Sequence, residues 1–309
     1  MKLMYYLSAK IALLVSVLFI YDILYAMESQ TRARFDLSEK NLDDVFMLSF
    51  ANITLKNNSH IQSLTFSNNN IGDTGLKALI DVLPSMRNIN SIYIDTNNIT
   101  NVGAATLATY LLSDAASNSK ITYIDMRNNP ITELGIQAIV DVWEEKQNCE
   151  ILFPWKPLLK SHFESSPTYL TDMQKTVIRR LVKTGKRFCF DSQELDDDCA
   201  ENIATYILYN NYKIKSLSCG SNNIGDKGII AITNALPFAP NITHLFLANN
   251  HIGDRGFEVL LDYIVNQLSR IESVNVSRNP IWQKDDSALS YILRNKPNVQ
   301  IHSSIKAKM

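Results

Sequence analysis

One repeated register constrains this chain more than anything else in it. Six segments, beginning at Ile61, Ile89, Ile121, Ile214, Ile242 and Ile271, obey a single template. It runs apolar-x-apolar-x-x-Asn-x-Ile, with further apolar positions eight and twelve residues after that Ile. Five of the six also place glycine four residues after it: Gly75, Gly103, Gly135, Gly228 and Gly256. The alternating start predicts a short strand with one buried face. The apolar residues at i and i+4 beyond the glycine predict one stripe of a helix. A strand, a turn and a helix of this size cannot bury their apolar sides alone, so neighbouring copies must stack.

The fixed polar positions have physical reasons too. Asn69, Asn97, Asn129, Asn222, Asn250 and Asn279 stand where the chain leaves each strand and turns. A buried turn carries unpaired backbone groups, and an Asn amide can donate to and accept from them. Stacking predicts a ladder of such amides. Asp73, Asn101, Asp226 and Asp254 lie two residues before the glycines and suit the N-caps of the helices.

The pattern resembles the ribonuclease-inhibitor type of leucine-rich repeat, with repeats of about 28 residues, over most of the chain from residue 34 to 302. That resemblance implies an α/β solenoid shaped as a horseshoe, parallel strands on the concave side and helices on the convex side. It also implies protein binding on the concave side. Together with the amino-terminal segment, the chain resembles leucine-rich-repeat effectors of intracellular bacterial pathogens.

The array is duplicated. Residues 61–88 and 214–241 agree at 13 of 28 positions, and a degenerate repeat precedes each triplet, from Ala33 and from Lys186. In these, Lys40 and Gln193 replace the turn Asn, as suits a terminal or junction repeat. The expected organisation is a leader at 1–26, a first block at 27–153, an irregular bridge at 154–186 and a second block at 187–309. The bridge carries a helical pattern from Asp172 to Lys183 and no Gly/Ser-rich linker, so one continuous arc is expected.

Residues 1–26 contain an unbroken apolar run, Ile11 to Tyr21, which is too short to span a bilayer core and reads as a secretory signal. The run ends at Asp22, and Leu24-Tyr25-Ala26 is an imperfect cleavage site, so an uncleaved signal anchor is the alternative. With 30 Lys and Arg against 31 Asp and Glu, no cationic excess marks a nucleic-acid binder. The four cysteines have no CxxC spacing and the histidines are scattered, so no metal site and no cofactor are expected, and the cysteines read as buried thiols. Asp196, Asp197 and Asp198 lack the spacing of a calcium loop and read as helix N-terminal acids. No GxSxG, HExxH or Walker sequence occurs, which argues against an enzyme.

The binding residues follow from the strand phase. The x between two buried residues points away from the core, and stacked strands align such residues into columns. Tyr93, Asp95, Tyr123, Asp125 and Arg127 fall on adjacent strands about 5 Å apart. His244 and Phe246 form a second, more apolar spot. These are the expected contacts for a partner protein. Replacing Tyr93 and Arg127 by Ala is expected to weaken binding and leave folding nearly unchanged.

Overall fold

The computed structural model describes residues 33–303, except 147, 161–169, 185–186, 211–212, 266–268, 282–293 and 295–297. The leader at 1–26 and the last repeat's helix therefore lie outside the described residues. Chain contacts divide the molecule into two compact units, residues 1–153 and 154–309.

In the first unit, five three-residue strands form a parallel sheet in chain order: β1 (Arg34–Asp36), β2 (Ser63–Thr65), β3 (Ser91–Tyr93), β4 (Tyr123–Asp125) and β5 (Glu150–Leu152). The helices between them are α1 (Asp44–Ile53), α2 (Asp73–Val82), α3 (Asn101–Leu112) and α4 (Glu133–Glu145). Each helix packs on the next. The register keeps every template position in phase, so Leu64, Ile92, Ile124 and Ile151 stand side by side, all buried. Phe66, Ile94 and Met126 make a second buried row, and Ile71, Ile99 and Ile131 a third. The start of the unit is closed by aromatics. Phe50 lies 5.5 Å from Phe35, 5.2 Å from Phe46 and 6.1 Å from Phe66, centroid to centroid.

The second unit repeats the plan with β6 (Arg187–Cys189), β7 (Ser216–Ser218), β8 (His244–Phe246), β9 (Ser273–Asn275) and β10 (Gln300–His302), again all parallel. Its helices are α5 (Lys156–Leu159), α6 (Asp172–Thr184), α7 (Asp197–Asn202), α8 (Asp226–Ala235) and α9 (Asp254–Val265). The bridging residues belong to this unit and cover its first repeat. Trp155 is buried against Phe190 and Phe188, with ring centroids 4.8 and 5.6 Å away. The Trp155 N–H donates to Gln193 Oε1 at 2.5 Å, and Asn202 Nδ2 donates to the Leu159 carbonyl at 2.8 Å. A short Asn at position 193 would not span to the bridging chain, which gives the Gln its reason. Cys149, Cys199 and Cys219 are buried, Cys189 is half-buried, and all four are free thiols.

Candidate functional site

Two sets of side-chain bonds hold the repeats in phase and so hold the strand face. The first is made by the turn asparagines. Asn97 Oδ1 accepts from the Ile71 N–H at 3.0 Å, and its Nδ2 donates to the carbonyls of Phe66, Ile94 and Asp95. Asn69, Asn129, Asn222, Asn250 and Asn279 bond in the same way, each reaching back into the preceding repeat. The residue before each of them takes a left-handed backbone: Asn68, Thr96, Asn128, Ser221, Asn249 and Arg278 have φ between 54° and 58°. Thr96 is β-branched and bears the most strain there.

The second set corrects the expected helix caps. Asp73, Asn101 and Asp226 are not N-caps of their own helices; they are the first helical residues, behind Gly72, Thr100 and Gly225. Asp254 likewise begins α9. Instead, the side chain at this position caps the helix of the following repeat. Asp44 Oδ1 accepts from the N–H groups of Gly72 and Gly75, at 2.7 and 2.9 Å. Asp73 serves Thr100 and Gly103, Asn101 serves Thr132 and Gly135, Asp197 serves Gly225 and Gly228, and Asp226 serves Gly253 and Gly256. A Cβ on Gly103 would sit 2.4 Å from Asp73 Oδ1, and one on Gly256 2.6 Å from Asp226 Oδ1. The recurrent glycine therefore exists to let the neighbour's acid approach. Among the described residues, α1 and α7 are capped by an acid of their own repeat, Asp43 through Phe46 N–H and Asp196 through Cys199 N–H. Asp198 faces Lys160 and Lys227, at 3.6 and 3.2 Å.

On this scaffold the strand face of the first unit gathers the aromatic and charged residues singled out from sequence. Tyr93 pairs in register with Asp125, and Tyr123 with Glu150. The Tyr93 and Tyr123 rings touch, centroids 5.2 Å apart and tilted by 42°. Burial, and next the Asp125 charge, push the Tyr123 phenol above its ordinary pKa, so its hydroxyl stays protonated. Asp95 accepts from Ser67 Oγ at 2.5 Å.

Asp125 differs from its expected exposure. It is 3% accessible and bound by Arg127, whose Nε donates to Oδ1 at 3.0 Å and whose Nη2 donates to Oδ2 at 2.6 Å. The same carboxylate accepts from the Arg127 N–H at 3.1 Å. The pair is structural, and truncating Arg127 strands a buried charge. Arg127→Ala therefore costs stability, contrary to the tolerance expected from strand phase alone.

In the second unit His244 and Phe246 share one strand, rings stacked at 6.2 Å, with Phe246 exposed. Beside them Asp191 accepts from Ser218 Oγ and from the Gly220 N–H. Among the described residues no group of acids, cysteines and histidines is placed to hold a metal ion.

Stacked strand–turn–helix units, an amide ladder and all-parallel short strands define a repeat solenoid. A family model described as "Leucine Rich repeat" matches residues 57–79, 117–140, 210–232 and 239–261. The chain is a leucine-rich-repeat protein, a module of the protein-binding kind. It is 18% identical over 264 residues to "NACHT, LRR and PYD domains-containing protein 3" of Rattus norvegicus, a match covering 74% of this chain and 22% of that protein. It is 30% identical over 86 residues to "Tonsoku-like protein" of Bos taurus, covering 27% of this chain and 6% of that one. The chain thus spans a minor part of the curated relatives it matches. Among solved structures, internalin C2 of Listeria monocytogenes is 17% identical with a TM-score of 0.39, covering 82% of this chain and 84% of that one.

Proposed function

We propose that the chain is an exported recognition module that engages a partner protein through the concave strand face, chiefly that of its first unit. The carrying observation is how the two copies differ. Scaffold positions are retained between the blocks: Asn69 with Asn222, Asn97 with Asn250, Asp44 with Asp197, Asp73 with Asp226. The aromatic and charged face positions of β3 and β4 are not, while small ones such as Ser63 and Ser216 are. Tyr93, Asp95, Tyr123, Asp125 and Arg127 stand where the second block has Phe246, Ala248, Ser273, Asn275 and Ser277. Aromatic residues dominate protein interfaces, and the touching Tyr93 and Tyr123 give the first block a ring pair that the second lacks. His244 and Phe246 give the second unit a smaller apolar contact of the same kind. The apolar segment Ile11 to Tyr21 supports export, and with it a role as a secreted effector.

Residues 27–309 serve as bait for cross-linking capture, beside Tyr93→Ala/Tyr123→Ala and a helix-face variant, Val45→Ser/Leu134→Ser. Loss of the captured protein in the tyrosine variant and retention in the helix-face variant are the expected outcome. The opposite pattern refutes the assignment. Amino-terminal sequencing of the mature chain tests export: a start near Met27 supports it, and an intact residue 1 favours an anchored scaffold instead.

A further inference from the structure

The bonds that finish each helix from the preceding repeat also align what stands next to them. Asp44, Asp73 and Asn101 cap α2, α3 and α4, so the four helices of the first unit start in one register. The residue after each of them, and after Glu133 of α4, therefore falls into one row on the helix face: Val45, Thr74, Val102 and Leu134. All four are exposed, Val45 by 71%, Val102 by 65% and Leu134 by 63%. Exposed Leu48 lies one turn on from Val45. In the second unit Asp197 and Asp226 cap α8 and α9 in the same way, and the row reads Asp198, Lys227 and Arg255. The scaffold thus accepts charge at this position, and an apolar residue there serves neither the core nor the caps. Carboxylates surround the apolar row. Asp43 and the four helices hold eight acids against one base, Lys77, which Asp81 already pairs. Asp81 and Asp141 lie seven residues beyond Thr74 and Leu134, on the same helical face about 10 Å along it.

We propose that this row is a second recognition surface, apart from the strand face, and that it takes a cationic amphipathic helix of a partner protein laid across the starts of α1 to α4. Packed helices stand about 8–10 Å apart, and the row advances by that step from each residue to the next. On a ligand helix every seventh residue returns to the same face about 10.5 Å on, so one apolar side chain meets each of the four positions. An extended chain repeats a face about every 7 Å and falls out of step. The ligand helix is about 10–12 Å wide, which brings Lys or Arg on its flank to Asp81 and Asp141. A second copy of this chain would set acids against acids, and an anionic lipid surface would be repelled in the same way.

The test uses the purified full-length chain and a fluorescein-labelled helical peptide of Leu and Lys, about 20 residues long to span the row, read by anisotropy. A version with Glu in place of Lys keeps the apolar ridge and reverses the charge. Saturable binding of the Lys peptide, and none of the Glu peptide, is expected. Val45→Asp/Thr74→Lys/Val102→Arg installs the residues that the second block carries in the same register, so it should fold and weaken binding roughly tenfold or more. Val102→Ser/Leu134→Ser alters no charge and should weaken it comparably, whereas Val45→Leu/Val102→Leu keeps the row apolar and should bind as wild type does. Asp81→Asn/Asp141→Asn should weaken binding about threefold. Asp36→Asn/Glu150→Gln removes the same charge from the strand face and should change nothing. Melting curves by circular dichroism establish that each variant is folded. Absence of binding by the wild type overturns the proposal, and so does binding that survives Val102→Ser/Leu134→Ser, which would mean diffuse attraction. Sedimentation velocity should show a monomer; a dimer that the same substitution dissolves would give the row to a second copy and overturn the proposal. Tyr93→Ala/Tyr123→Ala should leave peptide binding unchanged, so this surface and the strand face stand or fall separately. Weakening by the tyrosine variant equal to that by Val102→Ser/Leu134→Ser would overturn the placement on the helix face.

Discussion

Replacing ladder asparagines should cost stability in proportion to how many backbone groups each one serves alone. In mid-ladder the carbonyls are shared. Phe66 O receives Nδ2 of both Asn97 and Asn69, and Ile94 O receives that of both Asn97 and Asn129, at 2.9–3.2 Å. Asn97→Ala therefore orphans one buried donor, the Ile71 N–H. Asn69 opens the ladder and has no earlier rung to share with. Its loss strips the Leu37 carbonyl and the Leu42 and Lys40 N–H groups, of which only the one at exposed Lys40 can turn to water. An orphaned buried group costs about 1–3 kcal/mol. Asn97→Ala should thus lose about 2 kcal/mol and Asn69→Ala about twice as much. For a domain of this size those losses are melting-temperature drops of roughly 5 and 10 °C. Thermal and urea unfolding followed by circular dichroism measures both, with exposed Asn118→Ala as control. If Asn97→Ala costs as much as Asn69→Ala, the sharing of carbonyls carries no energy. If neither exceeds Asn118→Ala, the amides are not structural at all.

Gly103→Ala should destabilise by about 1–3 kcal/mol, because its Cβ meets Asp73 Oδ1 at 2.4 Å and Ile99 Cγ2 at 2.7 Å; a urea midpoint equal to wild type would remove the steric reason for the glycine. Thr96→Asn should stabilise by about 1 kcal/mol, since Asn adopts the φ of 54° more readily than a β-branched residue, and Asn68, Asn128 and Asn249 already hold the same place. A lower melting temperature for that variant would contradict the strain at Thr96. Arg127→Ala should lose about 2 kcal/mol or more by leaving buried Asp125 without its partner, and Asp125→Ala/Arg127→Ala should regain part of the loss. Equal stability of the single and double variants would mean that the pair is not coupled.

The fold was legible in the sequence wherever one position in a repeat does one job inside its own unit. The strand phase follows from alternation, which sets Thr65, Tyr93 and Asp125 in one column, and the register places them side by side. The turn asparagines were legible because a buried turn has a fixed demand for a donor and an acceptor. The capping acids were misread because the demand they meet lies in the next repeat. Asp73 looks like a cap for the helix it begins, yet the donors it serves, Thr100 and Gly103, are 27 and 30 residues later. A signal for this did exist: the glycine recurs in register with an acid or amide one repeat earlier, at a helix position with no local need for glycine. Asp125 was misplaced for a related reason. Strand phase shows which way a side chain leaves the backbone, but not whether a neighbour such as Arg127 folds over it.

Capping across repeats gives each block a direction. A helix whose amino-terminal amides are finished by the preceding unit is incomplete until that unit is in place, so order should pass from the first repeat towards the last and not back. Asp43 and Asp196 bond within their own repeats, so α1 and α7 are capped without an acid from a preceding repeat. The second block's first repeat leans in addition on its bridging residues, through Trp155 and Leu159. An ancestral block could be copied whole and still fold from its own first repeat, whereas a copy cut one repeat later would begin with an unfinished helix. A copy taken from a self-capped repeat keeps the amino-terminal amides of its first helix bonded.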